Sequence, residues 1–77
     1  MNPLDCYREA KERHPGMILM FRVGDFYELF DTDAETVARV LGLALTIRDK
    51  VLPMAGFPHQ SLEANLRKLL QAGHRVS

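Results

Sequence analysis

At 77 residues the chain can build one small core, and a domain of this size buries only about 60% of its unfolded surface. Apolar residues make up 47% and charged residues 26%, a globular rather than a disordered balance. Ten basic and ten acidic residues cancel, so composition carries no electrostatic sign of a polyanionic partner, and any nucleic-acid reading must rest on local motifs. The single cysteine, Cys6, excludes an internal disulfide, and with His14, His59 and His74 it makes no zinc spacing. A reducing cytoplasm is the expected setting. The stretch MNPLDCYREAK lacks the apolar centre of a signal peptide, and no apolar run nears the ~18 residues that span a bilayer.

In chain order, Asn2 is placed to cap a first helix, with Pro3 at its first position and Asp5 in its first turn. Lys11, Arg13 and His14 gather toward its end, and Pro15-Gly16 stops it. Leu4, Tyr7 and Ala10, with Cys6 beside them, make a narrow apolar stripe, which predicts a helix lying across a sheet with its polar side wet. Cys6 reads as a small packed thiol, because nothing near it in sequence would lower its pKa.

Met17 to Val23 has the length and flanks of a buried strand. Gly24-Asp25 then forms a two-residue hairpin signal. The following run, Phe26 to Phe30, alternates, with Phe26, Glu28 and Phe30 on one face and Tyr27 and Leu29 on the other. A carboxylate beside a large aromatic must reach water or find a donor. If both lie at the open end of the hairpin, about 6–7 Å apart along the strand, they form an apolar wedge with a hydrogen-bond acceptor next to it. Read from the residues alone, Phe26 is better assigned as a core aromatic inside the hairpin than as a wedge.

Thr32-Asp33-Ala34-Glu35 has the pattern of a capping box and predicts a second helix. Ala34, Val37, Ala38, Val40 and Leu41 follow helical spacing, and Gly42 fits the left-handed stop. Asp31 and Asp33 could pair on a metal, but acidic residues at a helix start already oppose the macrodipole. Leu43, Leu45 and Ile47 alternate with Ala44, Thr46 and Arg48, predicting a third strand and hence a β-α-β connection. Arg48-Asp49-Lys50 is a charged link. Val51 to Phe57 is extended, since Pro53 and Pro58 both oppose helix, and Met54-Ala55-Gly56 is bare enough for an edge strand, a packed loop or close approach by a ligand. A last helix is expected from Ser61, with Leu62, Leu66, Leu69 and Leu70 on one face and Gly73 closing it. His74 to Ser77 begins another strand. His59 reads as a surface or capping side chain, having no partner cluster.

FRVGDFYELF at 21–30, LTIR at 45–48 and PMAGFP at 53–58 together resemble the N-terminal mismatch-recognition domain of the MutS family of DNA mismatch repair proteins. Three segments in this order make a far more specific signal than Gly-x-Phe-Tyr-Glu by itself. The resemblance spans almost the whole chain. It implies a single domain over 1–77, a small mixed β-sheet with an N-terminal hairpin-like strand pair packed by three helices, its last strand cut short at Ser77. It also implies a wedge at Phe26 that enters the duplex, a base hydrogen bond at Glu28, and DNA contacts from Val23, Gly24, Arg48, Met54, Ala55 and Gly56.

The partner so implied is double-stranded DNA, mismatched or kinked, together with the remainder of a MutS-like protein or a dimer partner, in the cytoplasm and on the nucleoid in a bacterium. Full-length relatives are ATPases using ATP and Mg. This chain has no Gly-x-x-x-x-Gly-Lys-[Ser/Thr] loop, so no cofactor is expected in it. Two departures stand out: Pro58-His59-Gln60-Ser61 where the family commonly reads Pro-Tyr-His-Ala, and Asp49 where it tends to have Gly. The competing function is a protein-interaction module that keeps the fold without binding DNA. An enzyme fits worst, since Asp25, Glu28, His59 and Cys6 form no nucleophile or acid-base pattern.

Overall fold

The computed structural model describes residues 3–50 and 52–77, so the expected Asn2 cap and Val51 lie outside the described residues. Helix α1 spans Pro3–Arg13, strands β1 and β2 span Phe21–Val23 and Phe26–Phe30, and helix α2 spans Asp31–Leu41. Strands β3 (Thr46–Arg48) and β4 (Leu52–Pro58) follow, then a 3-10 turn at His59–Ser61 and helix α3 at Leu62–Gln71. The four strands form one antiparallel sheet in the order β1-β2-β4-β3. Because β2 and β3 both run antiparallel to β4, they are parallel to one another with β4 inserted between them. The β-α-β unit read from the sequence is therefore present, but split by a later strand.

Alternation on β2 sorts the core into two layers. Tyr27 and Leu29 face α2 and α3, where Ile18, Leu29, Ala34, Val37, Ala38, Ala55, Phe57 and Leu69 are buried together. Phe30 faces α1 and joins Tyr7 and Leu19. Three rings meet there: Tyr7 lies 5.8 Å from Phe30 and 6.4 Å from Phe21 between centroids, in tilted and edge-on geometries that suit ring quadrupoles. Leu29, Phe30, Val37 and Leu69 are the largest fully buried side chains, each contributing roughly 1.5–3 kcal/mol by removal from water.

Several expectations need correction. The strand predicted for Met17 to Val23 divides after Met20. Ile18 pairs in parallel with Val76, its N–H donating to the Arg75 carbonyl at 2.7 Å and its carbonyl accepting from Ser77 at 2.9 Å. Leu19 donates its N–H to the Asp33 carboxylate instead of a neighbouring strand, so the ladder with β2 starts only at Phe21. The expected strand at His74 to Ser77 thus supplies this single parallel bridge.

The capping box does not form: α2 begins at Asp31, and Phe30 in the cap position makes no side-chain bond. Asp31 takes φ +56°, a left-handed conformation that Asp tolerates better than most residues, and it turns the chain from β2 straight into α2. Asp33 is buried, and its carboxylate accepts from Lys11 Nζ at 2.8 and 3.1 Å. Lys11 also donates to the Met17 carbonyl at 2.6 Å, so one ion pair ties α1, the 17–20 segment and α2 together.

The third strand starts at Thr46, not Leu43. Gly42 caps α2 at φ +71°, and the Leu43 N–H is spent on the Ala38 carbonyl, which keeps Leu43 to Leu45 out of the ladder. On α3, Leu69 is fully buried but Leu70 is 55% exposed. Adjacent helical positions point about 100° apart, so the stripe predicted through both could bury only one. Cys6 is half-buried and unpaired.

Candidate functional site

Helix α1 covers only one end of its face of the sheet. Register places Phe21, Glu28, Phe30, Met54, Gly56 and Thr46 on that face, with Val23 and Pro58 opposite Phe26 on its two neighbouring strands. Phe30 and Phe21 pack under the helix. Two residues earlier on β2, Phe26 lies beyond its reach and is 50% exposed. A large aromatic left half in water on a rigid strand is the feature of this surface that core packing does not explain.

The intervening Tyr27 faces the opposite way, its ring 5.8 Å from Phe57 and the Arg22 guanidinium 5.9 Å from its centroid. Packing of the half-buried Tyr27 against the opposite core thus turns Phe26 and Glu28 to the other face. The hairpin tip is equally fixed. Gly24 has φ +61° while Asp25 stays negative, the pattern of a type II′ turn with Gly first. Arg22 Nε donates to the Gly24 carbonyl at 2.6 Å, and the His59 N–H donates to the Asp25 carbonyl at 2.8 Å. The departure at Pro58-His59 therefore still closes the hairpin onto β4 through backbone.

Beside Phe26 the sheet opens into a groove of about 310 Å³ lined by Phe26, Glu28, Ala44, Thr46, Met54, Ala55 and Gly56. That volume is at the low end of small-molecule sites, roughly 300–1,000 Å³. Space is tight at Gly56: a Cβ there would stand 3.0 Å from the Tyr27 carbonyl oxygen, so the neighbouring β2 backbone would have to shift to admit one. Of the residues singled out from the sequence, Phe26, Glu28, Met54, Ala55 and Gly56 thus come together at one groove. Val23 is exposed across from Phe26, and Gly24 forms the adjoining turn. Arg48 is exposed on β3, two residues from Thr46 on the same face and outside the groove lining. Ala55 is the one whose side chain is buried, on the α2 side, so it can offer the groove little but backbone.

Ala44 and Thr46 were not picked out from sequence. The visible signal was Thr46, a polar residue on the alternating stretch Leu43 to Ile47. Its hydroxyl donates to the Met54 carbonyl at 3.2 Å. Among the described residues no group of three His, Cys, Asp or Glu side chains is arranged to hold a metal, and no helix is long and apolar enough to cross a membrane.

The fold and the site define a small α/β recognition domain that presents an exposed aromatic, an adjacent carboxylate and a shallow groove from the uncovered end of its sheet. The family described as MutS domain I matches residues 3–77, and the chain belongs to it. It is 55% identical over 75 residues to a protein of Salinibacter ruber named DNA mismatch repair protein MutS, covering 92% of this chain and 8% of that protein. Proteins of the same name from Chlorobium limicola and Thermotoga neapolitana are 48% identical over 71 residues and 47% identical over 78. The chain spans only 8–10% of the length of these relatives.

Proposed function

We propose that this domain takes part in DNA mismatch repair by probing duplex DNA for weak stacking, with Phe26 as the wedge. The observation that carries the reading is the half-exposed Phe26 ring, held on a strand whose next residue is anchored in the core, with Glu28 beside it. Inserting an aromatic between base steps costs a few kcal/mol of stacking and kinks the duplex. A mismatch has already lost part of that stacking and pairing, so the wedge enters it at lower cost. Discrimination then arises mainly from deformability. Glu28 accepts a hydrogen bond from a base and repels phosphate, which favours positions where a base donor is free.

Val23, Gly24, Arg48, Met54 and Gly56 surround this point and make the neighbouring contacts to DNA. The domain catalyses nothing and needs no cofactor of its own; ATP and Mg serve other parts of the full-length relatives. Its partners are mismatched or kinked duplex DNA and the rest of a MutS-like protein, in the cytoplasm.

Fluorescence anisotropy at low salt with mismatched and matched duplexes tests the reading. Phe26→Ala should abolish the preference for the mismatch, since base–aromatic stacking is worth roughly 1–3 kcal/mol, while circular dichroism stays unchanged. A mutant that unfolds would make Phe26 a core residue, and a folded mutant that keeps the preference would remove the wedge.

A further inference from the structure

The outer edge of β3 carries bonding groups that the domain does not use. In the order β1-β2-β4-β3 this strand is terminal, and Thr46, Ile47 and Arg48 are all exposed. Its phase against β4 follows from one residue. Pro53 has no N–H, so Ile47↔Pro53 is a pair that exchanges no bonds, and the exchanging pairs are Thr46↔Met54 and Arg48↔Leu52. The N–H and C=O of Ile47 therefore point away from β4, out of the sheet. Its side chain is equally uncovered. Ile47 shares the face of Pro53 and Ala55, but α2 packs on that face over β2 and β4, leaving Ile47 54% and Leu45 41% exposed. Within β3 stands neither the lysine nor the proline with which natural edges refuse a further strand.

We propose that two copies of this chain pair through these edges, antiparallel about a two-fold axis at Ile47. In that register the two Ile47 residues exchange both N–H···O bonds, each Thr46 stands opposite Arg48 of the other copy, and no like charges face one another. Leu45 of each copy lies diagonal to Ile47 of the other, so four side chains now partly in water cover one another. This self-complementarity selects a second copy over an unrelated strand, and a net charge of zero gives the two copies no overall repulsion. An isologous contact of this kind closes at two copies. The axis of an antiparallel strand pair runs perpendicular to the sheet, so both Phe26 faces come to the same side of one continuous sheet. With only three residues in each strand, the contact falls well short of the roughly 800 Å² per partner of a standard interface. The dissociation constant should accordingly be on the order of 0.1–1 mM.

Sedimentation equilibrium of the full chain without DNA, from about 20 μM to about 2 mM to bracket that constant, tests the pairing together with amide hydrogen exchange. The expected result is a monomer–dimer equilibrium in which the Ile47 amide, open to solvent in the monomer, gains about two- to tenfold protection as the dimer fills. Ile47→Lys sets two cations on the axis and should weaken association at least about tenfold, while Ile47→Val should keep it. Circular dichroism of both variants should match the unmodified chain, because the side chain is exposed and its amide takes no part in the ladder with β4. A chain that stays monomeric throughout, a dimer that leaves the Ile47 amide unprotected, growth beyond two copies, or a dimer indifferent to Ile47→Lys would each overturn the proposal. Should Ile47→Lys fail to fold, Ile47 protection in the unmodified chain and in Ile47→Val decides by itself. Neither readout involves Phe26 or DNA, so a failure here leaves duplex probing untouched.

Discussion

Tyr7 shows how one residue links packing to pH. It is buried under the sheet beside Asp33 and Thr32, and its pKa is pushed up to about 12, first by burial and then by the Asp33 charge. In the unfolded chain a tyrosine titrates near 10. Between those values the folded state holds the proton more tightly, so stability is full below about pH 10 and falls as pH rises toward 12. A Tyr7→Phe variant should lose that part of the alkaline slope in denaturant melts across this window, whereas parallel curves for the two proteins would contradict the assignment. Glu28 belongs to the same scale. Glu28→Ala should weaken discrimination yet spare or raise affinity for matched duplex, because its charge opposes phosphate; equal losses on both duplexes in the anisotropy assay would contradict this. That Phe26 and Glu28 share one face was legible from alternation, whereas the exposure of the Phe26 ring was not, since the residues alone favoured a core aromatic. Asp33 was not legible. Its pattern with Thr32 and Glu35 matches a capping box, and only the spatial arrival of Lys11 and the Leu19 N–H shows why a carboxylate is buried there.

Among the elements, the β3–β4 link carries the clearest local strain. Arg48 pairs with Leu52, so three residues join the strands, and two of them, Asp49 and Lys50, have φ +52° and +64°, a left-handed region that glycine enters without steric cost. A left-handed Lys costs roughly 1–2 kcal/mol. Lys50→Gly, creating Asp-Gly, should therefore stabilise the domain by about 0.5–1 kcal/mol, read as a Tm rise of roughly 2–8 °C for a domain of this size. An unchanged or lower Tm would show that the strain is relieved in another way. All three helices and the hairpin could be read from apolar periodicity, from Gly42 as a left-handed stop and from the Gly-Asp signal, because these are local. The strand boundaries at 17–23 and 43–47 could not. Each was shortened by a bond to a distant or differently placed group, Leu19 to Asp33 and Leu43 to Ala38. The antiparallel insertion of β4 between β2 and β3 is likewise a long-range outcome that period-2 alternation does not encode.

For the whole molecule, fold and charge pull apart. The sheet holds the half-exposed Phe26 on β2, yet ten basic residues are matched by ten acidic ones, and affinity for duplex DNA rests largely on phosphate neutralisation. Around the groove the exposed cations are few. Arg48 and Lys50 flank the end of β3 and Arg75 lies near the C-terminus, all exposed, while Arg22 is engaged with the Gly24 carbonyl and the Tyr27 ring. Each neutralised phosphate contributes about −0.9 to the slope of log K against log salt, so these groups support only a shallow dependence. Wedge insertion must also be offset by contacts along a kinked duplex, and a domain whose Cα radius of gyration is 11.6 Å covers a short stretch of it. The isolated 77 residues should therefore bind weakly and show mismatch preference only at low salt or when joined to a larger DNA-gripping protein. An anisotropy titration across salt concentrations checks this: nanomolar binding of a mismatch at physiological salt, with a slope steeper than about −4, would mean that the domain presents a basic face which the balance of its charges conceals.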